Sequence, residues 1–151
     1  RMGADFARRV SDWYLHTAVS GPGDPQRAGA AERYGTHHPA LLAALETMAA
    51  AIETPLTRDA VARLAKISPR QLDRLFAREL GTSWRAAYLH LRLAHAARLL
   101  RQSPLTLRQI AYATGFSSPS HFSRAFGTAH GIPPGTWRRG GHTRPGQHGE
   151  P

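Results

Sequence analysis

Cysteine is absent from this 151-residue chain. That removes disulfides, thiolate nucleophiles and cysteine zinc sites together, and it fits a cytoplasmic protein. No stretch reaches the roughly 18 apolar residues that a membrane span requires, so no membrane partner is expected. The N-terminus lacks the basic-then-apolar order of a secretory signal. Carboxylates are scarce, ten in all. No His-Glu-x-x-His pair, glycine-rich phosphate loop or nucleophile elbow occurs. Nine histidines invite a metal or a general base. Yet His37 and His38 lie beside a proline, and His90 and His95, five apart on a helix, face different ways. No metal, cofactor or catalytic residue is predicted, and the chain is not expected to be an enzyme.

Aromatics are also few, 8% against 41% hydrophobic residues, so a core can form but not a large one. What is abundant is positive charge, a net of +10, and it is unevenly placed. Residues 1–55 carry five Arg and six carboxylates, and residues 141–151 are neutral. Residues 56–140 hold fourteen Lys and Arg against Asp59, Asp73 and Glu79, a net of +11. A field concentrated in one stretch suits a polyanion, and nucleic acid is the commonest such partner. The bland alternative is a solvated basic surface.

Along the chain, residues 4–18 predict an amphipathic helix with Phe6, Val10, Trp13 and Tyr14 on one face. Nothing before it covers that face, so it is expected to belong to an upstream domain absent from the chain. Residues 20–36 hold four Gly and two Pro without periodicity and read as a linker. Leu41, Leu42, Leu45, Met48, Ala49 and Ile52 recur at helical steps across 38–53. Residues 139–151 contain no apolar residue and read as a disordered tail.

Between Leu56 and Trp137 the sequence nearly repeats itself. Leu56, Thr57, Val61, Ala62 and Ile67 recur 49 positions later as Leu105, Thr106, Ile110, Ala111 and Phe116. With one extra residue in the second turn, Ser68, Pro69, Leu72, Arg74, Phe76 and Gly81 recur 50 positions later as Ser118, Pro119, Phe122, Arg124, Phe126 and Gly131. Each copy has the same physical grammar. A Thr caps a two-turn helix, 58–65 and 107–114. A tight turn carries an apolar plug, and Ser-Pro then opens a second helix, 69–80 and 119–130. Gly81 and Gly131 end those helices where a positive φ is needed. Two short helices about a turn, the second bearing arginines, is the layout of a helix-turn-helix. Between the copies a longer helix, 84–101, buries Tyr88, Leu89, Leu91, Leu93, Ala96, Ala97 and Leu100. The predicted fold is all-α: two helix-turn-helix subdomains joined by a long central helix.

In the second helix of the first copy, Leu72, Leu75 and Phe76 face the core, leaving Arg70, Asp73, Arg74 and Arg78 outward. Arg70 and Arg74 project from one side on adjacent turns, as a guanidinium gripping guanine O6 and N7 in a major groove requires. Asp73 either accepts from a cytosine amino group or orients a neighbouring Arg. In the second copy Ser120, His121, Ser123 and Arg124 face out. Phosphate contacts, which position without specifying, are assigned to Arg63, Arg78, Arg108 and His121.

Residues 56–138 resemble the C-terminal domain of the AraC/XylS transcription regulators. The second copy carries the specific part of the pattern: Ile-Ala, Gly-Phe, Ser-x-x-x-Phe-x-x-x-Phe and Gly-x-x-Pro. The resemblance implies that 69–80 and 119–130 are recognition helices reading two successive major-groove segments of double-stranded DNA, with base contacts at Arg70, Asp73, Arg74, Ser120, Ser123 and Arg124. Pro119 departs from it, standing where many members carry a polar base-reading residue. A shorter match, ARRVSDWYLH followed by YGTHHPAL, resembles the subgroup whose upstream half is a class I glutamine amidotransferase-like (DJ-1/PfpI) domain. Members of that subgroup are similar to activators of catabolic genes for arginine, carnitine or betaine-type compounds. The implied organisation is a C-terminal helix of the absent upstream domain (1–20), a linker (21–37), an AraC-type DNA-binding domain (38–138) and a tail (139–151). Within the third, the first helix-turn-helix is 57–80, the connecting helix 84–101 and the second helix-turn-helix 106–130. The resemblance further implies a bacterial regulator, an effector sensed upstream, RNA polymerase as an additional partner, and room for a dimer of the full-length protein. DNA-alkylation repair proteins use a similar domain, but their chemistry needs the cysteine missing here. The rival reading is a helical protein-interaction or dimerisation module without specific DNA readout, which would not need +11 over the repeat.

Overall fold

The structure, a computed structural model, describes residues 2–16 and 26–140. In chain order the helices are α1 (Met2–His16), α2 (Gln26–Tyr34), α3 (Pro39–Ala50), α4 (Arg58–Leu64), α5 (Pro69–Leu75), α6 (Trp84–Gln102), α7 (Leu107–Ala113), α8 (Pro119–His130) and α9 (Pro134–Arg138). Among the described residues there is no strand. A π-helical turn, Phe76–Leu80, continues α5 to Gly81.

The four short helices of the repeat start where their caps put them. Thr57, Ser68, Thr106 and Ser118 each accept a hydrogen bond from a backbone N–H of the first turn. Ser68 with Gln71 and Thr106 with Gln109 close full capping boxes. A seven-residue helix is not stable alone, so these caps, each worth about 1 kcal/mol, matter. The remainder comes from burial. Gly81 (φ +66°) and Gly131 (φ +81°) take the left-handed conformation that ends the second helix of each copy. At the turn between helices the copies differ in chemistry but not in shape: Lys66 has φ +64° and Gly115 φ +86°.

The described residues hold two hydrophobic clusters, and α6 supplies both. Val61, Leu72, Leu75, Phe76 and Leu80 of the first copy pack with α3 and with Ala87, Tyr88, Leu91 and Ala94 of α6. Ile110, Phe116, Phe122, Phe126 and Trp137 pack with Leu93, Ala96, Ala97 and Leu100. Leu89, expected in the buried set, is only half-buried. Spacing did not predict α9; Trp137 plugs it against α6, donating from Nε1 to the Ala97 carbonyl at 3.1 Å.

The N-terminal region departs from the sequence reading. The segment expected to be a linker, 21–37, contains α2, and Tyr34 is 1% exposed with its ring 6.3 Å from that of Phe6. One large apolar residue in a nine-residue helix leaves no repeat for periodicity to find. The face of α1 expected to await a missing domain is covered within the chain: α1 lies along α6, and Phe6 and Val10 join the first cluster. The side chains of Trp13 and Tyr14 lie outside the described residues, as do residues 17–20 and 141–151. If α1 is held by the chain itself, Val10→Ala should lower stability by about 1–2 kcal/mol. Urea unfolding of this chain checks it, and an unchanged midpoint would mean that α1 is not docked.

Candidate nucleic-acid interface

Burial of Leu72, Leu75 and Phe76 turns one side of α5 inward and leaves Arg70, Asp73 and Arg74 exposed. In α8, burial of Phe122 and Phe126 leaves Ser120, His121, Ser123 and Arg124 exposed. Among the described residues Arg70, Arg74 and Arg124 form no ion pair, so their guanidinium groups remain available to an external anion. The phosphate candidates are exposed too, with looser attachments. Arg63 stands on α4. Arg78 Nε lies 3.9 Å from Glu79, Arg108 lies over the Tyr112 ring at 5.8 Å, and His121 meets the Phe116 ring edge-on at 5.3 Å.

Asp73 is committed elsewhere. Arg58 of α4 reaches across the turn and donates to both carboxylate oxygens, from Nη2 at 2.6 Å and from Nε at 3.1 and 3.2 Å. Asp73 thus orients an arginine, Arg58, across the turn. The Arg58 hydrogen bonds hold its pKa below the usual carboxylate value, with burial opposing. Both side chains stay nearly half exposed, so the pair is well formed yet strongly solvated.

Several arginines that swell the charge of the repeat are engaged by protein groups. Arg92 donates to the Thr114 carbonyl at 2.8 Å, Arg101 stacks on Trp137 at 4.4 Å, and Arg138 donates to the Leu100 carbonyl at 2.8 Å. Sequence reasoning missed Arg58 and Arg92. Nothing in the local pattern marks Arg58, whereas Arg92 stands four residues after the buried Tyr88, on the same side of α6.

A cleft of about 1200 Å³ opens between α1, α6 and α8, with Leu89, His90 and Leu93 on one side and Arg8 and Arg124 on others. Arg124 therefore borders both the exposed face of α8 and this cleft, a setting different from that of Arg74. Burial lowers the pKa of His90, and burial with the nearby Arg98 charge lowers that of His95. Among the described residues no group of His, Asp or Glu could hold a metal ion, and no helix is long and apolar enough to cross a membrane.

A helix-turn-helix domain family model matches residues 61–140. The chain is 63% identical over 139 residues to the HTH-type transcriptional regulator GlxA of Rhizobium meliloti, covering 92% of this chain and 43% of that protein. It is 37% identical over 142 residues to the HTH-type transcriptional regulator ArgR of Pseudomonas aeruginosa, again 92% and 43%. This chain thus spans about two fifths of the length of such relatives. Among solved structures, an AraC-type DNA-binding domain protein from Chromobacterium violaceum superposes with a TM-score of 0.67 at 42% identity, covering 72% of this chain and 96% of that one.

The Asp73–Arg58 pair sets a pH dependence. Because the folded-state pKa of Asp73 is depressed, its contribution is fully present above the unfolded carboxyl value, about 3.9. It is lost as pH falls through the lower folded value. Parent and Asp73→Asn should therefore differ in urea midpoint at neutral pH and converge as pH falls through that lowered carboxyl value. A gap that stays constant to pH 2 would mean that charge plays no part.

Proposed function

We infer, from the premise that this chain belongs to the family of AraC-type helix-turn-helix domains, that it is the DNA-reading part of a transcription regulator. It binds double-stranded DNA sequence-specifically, with 69–80 and 119–130 entering two successive major-groove segments. The observation that carries this reading is the pair of capped helix-turn-helix units mounted on one shared helix, the first presenting exposed Arg70 and Arg74 and the second exposed Arg124 on its second helix. Arg70, Arg74, Ser120, Ser123 and Arg124 meet base edges. Asp73 holds Arg58 in place beside them. Arg63, Arg78, Arg108 and His121 meet phosphates.

Successive major grooves on one face of DNA lie about 34 Å apart. At 1.5 Å per residue the 19 residues of α6 extend about 28 Å, and the flanking units add the rest. The curated relatives are named regulators, and this supports transcription regulation as the purpose of the binding. Activation of catabolic genes, an effector sensed outside this chain, engagement of RNA polymerase and a cytoplasmic location complete the proposal. Selecting bound sites from a random DNA pool and footprinting one of them tests it. Two protected segments about ten base pairs apart are expected; recovery of no preferred sequence would overturn it in favour of an interaction module.

Binding should weaken steeply with salt, with a log–log slope equivalent to at least about four phosphates. Affinity that ignores salt between 50 and about 200 mM would remove the electrostatic basis of the reading. Replacing Arg74 or Arg124 by Ala should each cost roughly 1–3 kcal/mol of specific binding if the side chain grips a guanine. Folding should persist, since both side chains are exposed. Parent-like affinity of both variants for the selected site would refute the base-contact assignment.

A further inference from the structure

The two helix-turn-helix units also touch directly, through the loop before α4 and the turn before α8. The loop between α3 and α4 belongs to the first unit, and Tyr88 pins it to α6: its hydroxyl donates to the Ala51 carbonyl at 2.6 Å and accepts from the Leu56 N–H at 3.0 Å. One turn further along α6, Arg92 pins the turn of the second unit. Its Nε donates to the Thr114 carbonyl at 2.8 Å, and its guanidinium lies 4.2 Å from the Phe116 ring centroid. The two pinned loops then meet each other. A Cβ placed on Gly115 would lie 2.7 Å from the Ile52 carbonyl oxygen and 2.9 Å from Pro55 Cγ.

The repeat supplies an internal control for Gly115. Lys66 stands at the same point of the first turn, with the same left-handed backbone, and its side chain is exposed. A positive φ is therefore compatible with a side chain in this turn. What demands glycine at 115 is the approach of Ile52 and Pro55, that is, the first unit.

We propose that Arg92, Tyr88 and Gly115 form a latch that fixes the second helix-turn-helix against the first and so determines which spacing between two DNA segments the chain accepts. Resting on the two-segment reading above, these are positioning residues that never touch DNA. A one-base-pair change in spacing moves the second segment by about 3.4 Å and turns it by about 34–36° around the axis. A second unit held at three points cannot follow that movement. One attached through α6 packing alone has more freedom to do so, because α6 presents alanines to both cores and small side chains interlock less tightly than large ones.

The test uses the full chain, a selected two-segment site, and the same site with one base pair inserted between the segments. For the parent the insertion should cost at least about tenfold in affinity, the scale of one wrong base pair. In Arg92→Met and in Gly115→Asn, whose new side chain tolerates positive φ, the cost should shrink to about threefold or less. Arg92→Lys, which can still donate to the Thr114 carbonyl, should keep most of the parent's penalty. Residual dipolar couplings of the DNA-free chain give a second readout. One alignment frame should serve both units in the parent, and two should be needed in Arg92→Met and Gly115→Asn. An insertion penalty as steep in those variants as in the parent overturns the latch, and so does a single frame retained in both. If one variant fails to fold, the other carries the test. A parent that protects only one DNA segment defeats the functional reading instead, and the couplings still decide the latch.

Discussion

Everything in this molecule hangs on α6 being shared. Each helix-turn-helix is two short helices with a handful of large apolar side chains, too little to bury a core by itself. The first gains Ala87, Tyr88, Leu91 and Ala94 from α6, and the second gains Leu93, Ala96, Ala97 and Leu100. The two sets interleave along one helix on opposite sides. One element therefore completes two cores and carries both of the helices that present exposed arginine.

Each recognition helix is held the same way: a serine cap with a first-turn proline at the start, a left-handed glycine at the end, and two bulky residues four apart beneath. That leaves the opposite side outside the core, which is why charge can collect there. The carboxylate on that side is neutralised by Arg58, which donates to both oxygens of Asp73 from the neighbouring helix. The pair thereby also links α4 to α5 across the turn, so an interaction on the rim of the interface doubles as an internal brace of the first unit.

The N-terminal helices bear on the same arrangement. Seated on α6, α1 faces the flank of α8 across the cleft that Arg8 and Arg124 border. Thr36, just after α2, donates to Glu79 in the π-helical turn at 3.1 Å. Residues that precede the repeat thus touch the end of one recognition helix and look onto the side of the other.

Much of this was legible before any coordinates. Caps, stop glycines and helical spacing act within a few residues, so Thr57, Ser68, Thr106, Ser118, Gly81 and Gly131 could be placed by local chemistry alone. The duplication did the same for Arg74 and Arg124, because equivalent positions of a repeat face equivalent directions. What tertiary structure alone decided concerns partners far apart in the chain. Arg58 and Asp73 are 15 residues apart, Arg92 and Thr114 are 22 apart, and Gly115 meets Ile52 from across the repeat. The helix Gln26–Tyr34 hid for the same reason: its stability comes from Tyr34 meeting Phe6, a contact that composition and periodicity do not register. A sequence specifies which way each side chain points from its own helix; only the packed chain decides what it finds there.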